Sequence, residues 1–559
     1  MQTGIDPFIY RGYGQHLPVM IALIGGGYYF VSRWTLYLPA YVSTQIFGPV
    51  GGYLVHHGLL LLLGAVPLAC FARRRWGDDE GVTTYLLVLC SPIVVRGVFA
   101  EYSTAVIIPA VLCLLVLLLD DQRPASRARS LLAGALVAVA LIANVFAGGL
   151  CGVIVGVWFV WRFRGNARTT IVSAGFMAVG AAALAGAGWA LFQWRYGFNV
   201  YAPTFDWIST NRGEQTGFQA TSSEWLDYRL WIYLPLIVLI AWVAIWWRRR
   251  LRPPGWQSSA MAMMVLVAAF HAAYEFVVGT VVLQLPFYWS YVIPLLLVGM
   301  SIVLGELIST ASGWHRWIPA GLLVGAVALG PLRPDWLHLP PARWSIPLLA
   351  ALVVGAAVLA DRKVGRALSA GAVALVFAAV QLAPPVEPVR DGALRIDAGF
   401  DSAFRGLPVD DVKDRAGTRL STIPWVRSPP GRQGWPAFLA TSEFIDAIDE
   451  LGDGFSSSMW IWVSGGWGWQ FDSALGATKT NLLVNPDGMG ADSGELPTGF
   501  AGRIQAGTVP SLAIIAPPDR VGPMLDQVSA LLGRAPAVVM DRVFDHGQPT
   551  RVVVVHLRD

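Results

Sequence analysis

The chain has 559 residues, 55% of them hydrophobic and 14% charged, with a mean hydropathy of +0.54. A soluble protein of this length carries more charge, so these numbers exclude an ordinary globular enzyme and point to a polytopic membrane protein with something attached. The net charge of +4 is the sum of two unlike regions: residues 1–383 hold 25 Lys and Arg against 15 Asp and Glu, whereas residues 384–559 hold 15 against 21, so the excess implies no nucleic-acid partner.

The first acidic residue, Asp6, precedes the hydrophobic region in Asp6-Pro7-Phe8-Ile9-Tyr10-Arg11-Gly12-Tyr13. Residues 17–31 are apolar but number only about 15, short of the roughly 20 that a spanning helix needs. They are expected to lie in the outer membrane interface, which makes 1–48 a first extracytoplasmic loop with an interfacial helix. Apolar runs near 49–71, 82–99, 103–119, 131–147, 149–161, 170–193, 230–247, 258–283, 287–306, 317–331, 344–360 and 366–383 predict about twelve spans in a helical membrane domain over 49–383. The split of 131–161 is expected around Gly148-Gly149.

Loop charges orient these spans. With the end of 49–71 in the cytoplasm, alternate loops carry Arg73 to Arg75, then Arg123, Arg127 and Arg129, then Arg162, Arg164 and Arg168, then Arg248 to Arg250 and Arg252, then Arg316, then Arg362, Lys363 and Arg366. These are 17 of the 25 basic residues of the membrane part. Asp6, Glu101, the loops 194–229 and 332–343, and everything after 383 then face outward. The short inner loops leave no room for a cytosolic catalytic domain, so any chemistry is extracytoplasmic. The protein is expected in the plasma membrane, with its C-terminal domain outside.

Carboxylates at membrane depth are costly and are functional candidates by default. Glu101 lies between two apolar stretches, Glu275 falls mid-span, and Glu306 falls near the inner end, where an interfacial position is expected. Asp78, Asp79 and Glu80 read as a solvated inner loop. The outer or near-outer cations are Arg11, Arg33, Arg96, Arg195, Arg212, Arg229, Arg333 and Arg343; Arg96 sits five residues before Glu101. Tyr288, Trp289 and Tyr291 fit either an outer aromatic belt or a lipid groove. Cys70, Cys90, Cys113 and Cys151 all lie in apolar runs without metal-ligand spacing and read as small buried hydrophobes.

Residues 384–559 are long enough for one domain. Strand-like runs at 458–463, 511–516, 536–540 and 551–557 alternate with helix-period stretches at 440–451 and 519–533, which predicts an extracytoplasmic α/β domain. Trp460, Trp462, Trp467 and Trp469 supply either its core or a sugar-stacking face.

The opening Asp6-Pro7-Phe8-Ile9-Tyr10-Arg11-Gly12-Tyr13, followed by an apolar stretch and Tyr28-Tyr29…Arg33, resembles the first outer loop of GT-C-fold integral-membrane glycosyltransferases, in particular the family 39-like, polyprenyl-phosphate-sugar-dependent branch. Arg96-Gly97-Val98-Phe99-Ala100-Glu101-Tyr102 is similar to the second outer loop, where that family carries another acidic residue. The resemblance implies a membrane glycosyltransferase that uses a polyprenyl-phosphate sugar and an envelope glycan, lipid or protein acceptor. It implies Asp6 as catalytic base and Glu101 as its support, positioning the acceptor or a divalent cation or tuning the base. Arg96, Arg11 and Arg212 are expected to bind the donor phosphate, and Tyr10, Tyr13, Tyr102, Tyr288 and Tyr291 to line the substrate. Family members also place one span before the first outer loop, so an apolar segment upstream of Met1 is expected. The rival expectation is a transporter or flippase of lipid-linked glycans, centred on Glu275; a third is a non-catalytic assembly protein whose tail binds an envelope partner.

Overall fold

The structure, a computed structural model, describes residues 10, 13–14, 17–18, 21, 29–99, 102–122, 126–210, 230–278, 291–309, 311, 313–329, 363–382, 443–444, 447–448, 450–451, 459–463, 482–484, 498–507, 509–545 and 549–557. The span read over 344–360 lies outside them. The described part is mostly helical, with a small C-terminal sheet.

After a short 3-10 turn (Tyr29–Arg33), helix α1 (Trp34–Trp76) is two helices merged at Gly48, whose φ of +74° needs glycine. The chain doubles back so closely there that a Cβ on Gly52 would meet the Thr44 backbone at 2.5 Å. The run predicted as one span over 82–99 is instead two helices, α2 (Asp78–Leu89) and α3 (Pro92–Phe99). Pro92 accounts for the break: its ring disfavours helical geometry at Ser91, while its fixed φ suits the start of a helix.

Helices α4 (Thr104–Leu119), α5 (Arg127–Ala143), α6 (Val145–Gly165) and α7 (Ala167–Tyr196) follow. The 131–161 run does divide in two, but at Asn144 rather than at the glycine pair. Asn144 is extended, and its Oδ1 accepts from the Phe146 amide at 2.9 Å, capping α6. Helices α5 and α7 cross at glycines: a Cβ on Gly134 would overlap the Met177 carbonyl, and one on Gly180 the Leu131 carbonyl. The bundle continues with α8 (Ala202–Thr210), α9 (Leu230–Arg249), α10 (Gly255–Val278), α11 (Ile293–Ile308), α12 (Ile318–Leu329) and α13 (Lys363–Leu382). Among the described residues four stretches are long and apolar enough to cross a membrane: Gly51–Trp76, Val145–Gly165, Ala167–Tyr196 and Gly255–Tyr274.

The arginine-rich end of the bundle is tied by ion pairs. Arg74 meets Asp120 at 2.8 Å, Arg75 pairs with Asp121, and Arg316 reaches Asp79 at 3.3 Å. Asp78, Asp79 and Glu80 are not a loop but the first turn of α2, where the helix dipole favours negative charge. Glu80 is 3% exposed, and burial raises its carboxyl above the ordinary range. Glu306, expected at the interface, is a buried hub. Its Oε1 accepts from Trp76 Nε1 at 3.1 Å and Gln257 Nε2 at 2.6 Å, and its Oε2 pairs with Arg249.

In the C-terminal part, β1 (Met459–Val463), β2 (Leu482–Val484), β3 (Ser511–Ala516), β4 (Ala537–Phe544) and β5 (Thr550–His556) form a mixed sheet in the order β2-β1-β3-β5-β4. Strand β1 runs parallel to β2 and β3, whereas β5 is antiparallel to β3 and β4. Two helices follow the strand pattern, α14 (Thr498–Gln505) and α15 (Pro518–Leu532); α15 buries Val521, Met524 and Val528 at helical spacing against the sheet.

Removing one partner of a buried ion pair leaves the other uncompensated. Glu306→Gln is therefore expected to cost about 1–3 kcal/mol, because Arg249 loses its carboxylate and keeps only the Glu306 carbonyl. Fluorescence-detected thermal unfolding of the full chain in detergent checks this.

Candidate active site

Tyr10 and Tyr102 lie 92 positions apart in sequence, yet their rings meet edge to face with centroids 6.0 Å apart. Both are buried, at 2% and 6% exposure. Phe30, from the 3-10 turn, packs against Tyr10 at 5.2 Å. Into this group comes Arg33. Its guanidinium lies 5.6 Å from the Tyr10 ring centre, 5.7 Å from that of Phe30 and 6.0 Å from that of Tyr102, and it donates to the Tyr10 hydroxyl. A guanidinium cannot lose its proton, and ring faces attract it, each by roughly 0.5–2 kcal/mol according to exposure. The result is a fixed cation with aromatic walls.

Three contacts hold the turn that carries Arg33. The Tyr37 hydroxyl donates to the Val31 carbonyl at 2.6 Å, Ser32 bonds to Thr204 of α8, and Trp34 Nε1 donates to the Tyr201 hydroxyl at 3.1 Å. Tyr201 in turn donates to the Ala185 carbonyl at 2.8 Å. Tyr13 stacks on Tyr37 at 4.7 Å. Burial, with Tyr13 beside it, holds the Tyr37 phenol well above the ordinary tyrosine range, so it stays a neutral donor. The loop that follows α7 thus braces the first loop of the chain.

The other wall is built from the end of α3. A helix ends with carbonyls that have no partner of their own. Here side chains take them: Thr104 Oγ1 donates to Gly97 O at 2.7 Å, His57 Nδ1 bonds to Val98 O at 2.5 Å, and the Tyr53 hydroxyl donates to Phe99 O at 2.5 Å. His57 is 2% exposed, so it works in a site closed to water. This capping fixes the backbone just ahead of residues 100–102.

The sequence-expected residues divide as follows. Tyr10 and Tyr102 are brought together around Arg33, whereas Tyr13 stacks on Tyr37. Tyr291 is 2% exposed and packs on Phe146 at 5.5 Å and His271 at 6.4 Å, as part of the helix packing. Asp6, Glu101, Arg11, Arg212 and Tyr288, and the side chain of Arg96, lie outside the described residues, as does that of Glu275. Among the described residues no three His, Cys, Asp or Glu side chains converge on a metal-binding point. In the sequence Arg33 is one of eight outer or near-outer cations, and Tyr53, His57 and Thr104 belong to no motif. Their signal was present: Tyr53 and His57 are polar groups four apart in an apolar run.

A helical membrane bundle with a C-terminal mixed sheet, and an aromatic and arginine site where the loops meet, defines the class. Two solved structures share this fold over the whole of the chain. One is ArnT from Cupriavidus metallidurans bound to undecaprenyl phosphate, with a TM-score of 0.53 and 16% identity; the other is the apo state of ArnT from the same organism, with a TM-score of 0.51 and 17% identity. Each match covers 100% of this chain and 94% of the ArnT chain. No protein-family model matches the chain, and no curated protein matches its sequence. The chain therefore shares the overall fold of these two ArnT structures.

His57→Ala is expected to leave the Val98 carbonyl buried and unpaired, at a cost of about 1–3 kcal/mol. Thermal unfolding of the full chain reads the loss, which His57→Gln should partly restore because its amide can donate to the same oxygen.

Proposed function

We propose that the chain is an integral-membrane glycosyltransferase that moves a sugar from a polyprenyl-phosphate donor to an extracytoplasmic envelope acceptor. The observation that carries this reading is the meeting of Tyr10 and Tyr102 around Arg33. Tyr102 is the immediate chain neighbour of Glu101, and four residues of chain, the separation of Asp6 from Tyr10, span at most about 14 Å. The two segments that bear the outer carboxylates are thus supported as parts of one site. The ArnT fold adds weight, since one of those structures holds undecaprenyl phosphate.

In the proposed reaction the Asp6 carboxylate takes the proton of an acceptor hydroxyl as that oxygen bonds to the anomeric carbon. The bond from that carbon to the phosphate oxygen breaks, and the polyprenyl phosphate leaves with the electron pair. Glu101 orients the acceptor. Arg33, joined by Arg96, Arg11 and Arg212, holds the phosphate and stabilises the charge that grows on it. Tyr10 and Tyr102 exclude water and present faces suited to a sugar ring. The positive-inside pattern supports an outward-facing site and C-terminal domain.

A strain lacking the chain is expected to accumulate a lipid-linked sugar and to lose one sugar from its envelope. Asp6→Asn, present in the membrane at the normal level, should restore transfer at least about a hundredfold less well than the parent chain. Arg33→Lys keeps the charge but loses the planar stack, so it should raise the donor concentration needed for half-maximal transfer. Normal transfer by Asp6→Asn, with loss in Glu275→Gln instead, would support a transporter and overturn this reading.

A further inference from the structure

A second polar space lies far along the chain from Arg33, at the arginine-rich end of the bundle. Helices α4, α5, α6 and α7 line an open cavity of about 400 Å³ there. Two helix starts open onto it. Ser126 heads α5, its Oγ accepting from the Arg129 amide at 3.2 Å, and Asn166 heads α7, its Oδ1 accepting from the Thr169 amide at 3.0 Å. Helix starts carry partial positive charge and favour anions.

The side chains add to this. Arg129 and Arg162 both line the cavity. Arg129 donates to the carbonyls of Leu117 and Asp120, which anchors it in the wall. Arg162 has no carboxylate partner among the described residues, and its guanidinium lies 5.0 Å over the Trp161 ring. Asp121 lines the wall too, but Arg75 neutralises it. Ser173, 9% exposed, faces the cavity with no hydrogen-bond partner among the described residues. Its hydroxyl is reached from the cavity and is free to donate there. The outer faces of the same helices are apolar and exposed, at Leu132, Val160, Ile171 and Val172. A ligand with a phosphate and an acyl chain would satisfy both surfaces.

We propose that this cavity binds a phosphate-bearing group, supplied by an anionic phospholipid of the leaflet at this end, with the phosphate held by the Arg162 and Ser173 side chains and the helix starts adding positive potential around it. Inorganic phosphate offers the same chemistry from solution. The site is separate from the proposed sugar-transfer site and does not depend on it.

The test uses the full chain in phosphatidylcholine nanodiscs, with phosphatidylglycerol titrated in, and counts retained lipid by native mass spectrometry. Retention of phosphatidylglycerol should fall about tenfold in Arg162→Gln. It should fall also in Ser173→Val and stay unchanged in Arg164→Gln, which removes the same charge from an exposed position on the same helix. A parallel arm adds inorganic phosphate to the phosphatidylcholine sample and reads the thermal shift. A shift that needs Arg162 there, without selective phosphatidylglycerol retention, keeps the phosphate chemistry and replaces the lipid as its source. Equal retention and equal shifts in parent, Arg162→Gln and Ser173→Val overturn the proposal, as does an equal loss in Arg164→Gln.

Discussion

One arginine among three aromatic rings joins two loops that the chain keeps far apart. Arg33 touches Tyr10 and Phe30 from the first loop and Tyr102 from the loop after α3. Each contact is weak by itself, but a cation withdrawn from water gains more from a ring face than an exposed one does. The cation cannot be titrated away, so the join holds at any ordinary pH. The candidate site depends on this join, because it brings Tyr10 and Tyr102 together from two separate loops.

Around that join, the backbone is kept in place by satisfying its polar groups one at a time. Buried carbonyls without partners are expensive, and an apolar setting makes them more so. Thr104, His57 and Tyr53 take the last carbonyls of α3, and Tyr37 takes that of Val31. Each bond does two jobs: it removes a desolvation cost and it fixes the direction in which the next residues leave. Loop residues on such supports can be positioned closely without regular structure of their own.

The opposite, arginine-rich end is built on a different logic. There, charges pair with charges across helices, and Glu306 gathers Trp76, Gln257 and Arg249 from three others. Almost every arginine with an identified role at that end meets an acid, a carbonyl or a ring. Arg162, like Arg127, has a ring as its partner, and it lines the cavity proposed to take a phosphate. One bundle thus carries a cation in an aromatic cage near one set of loops and a cation beside an open polar space near the other.

Much of this was legible in the sequence. Hydropathy over twenty-residue windows marked the long apolar helices such as Val145–Gly165 and Ala167–Tyr196, because a spanning segment must satisfy its own backbone and bury apolar surface locally. The strands at 511–516 and 551–557 were readable from β-branched runs, and Asp6-Pro7-Phe8-Ile9-Tyr10 with Glu101-Tyr102 carried the family resemblance. Other features were not readable. The break at Pro92 and the cap at Asn144 are local but compete with a smooth hydropathy signal. The burial of Glu306, the capping of α3 by His57 and the cage around Arg33 depend on partners 41 to 230 positions away or on loops that only the fold brings close. Composition and periodicity act along the chain and determined which stretches form apolar helices; which cation meets which ring, and which arginines line a cavity, was decided only by tertiary packing, because those energies exist only between residues the sequence keeps apart.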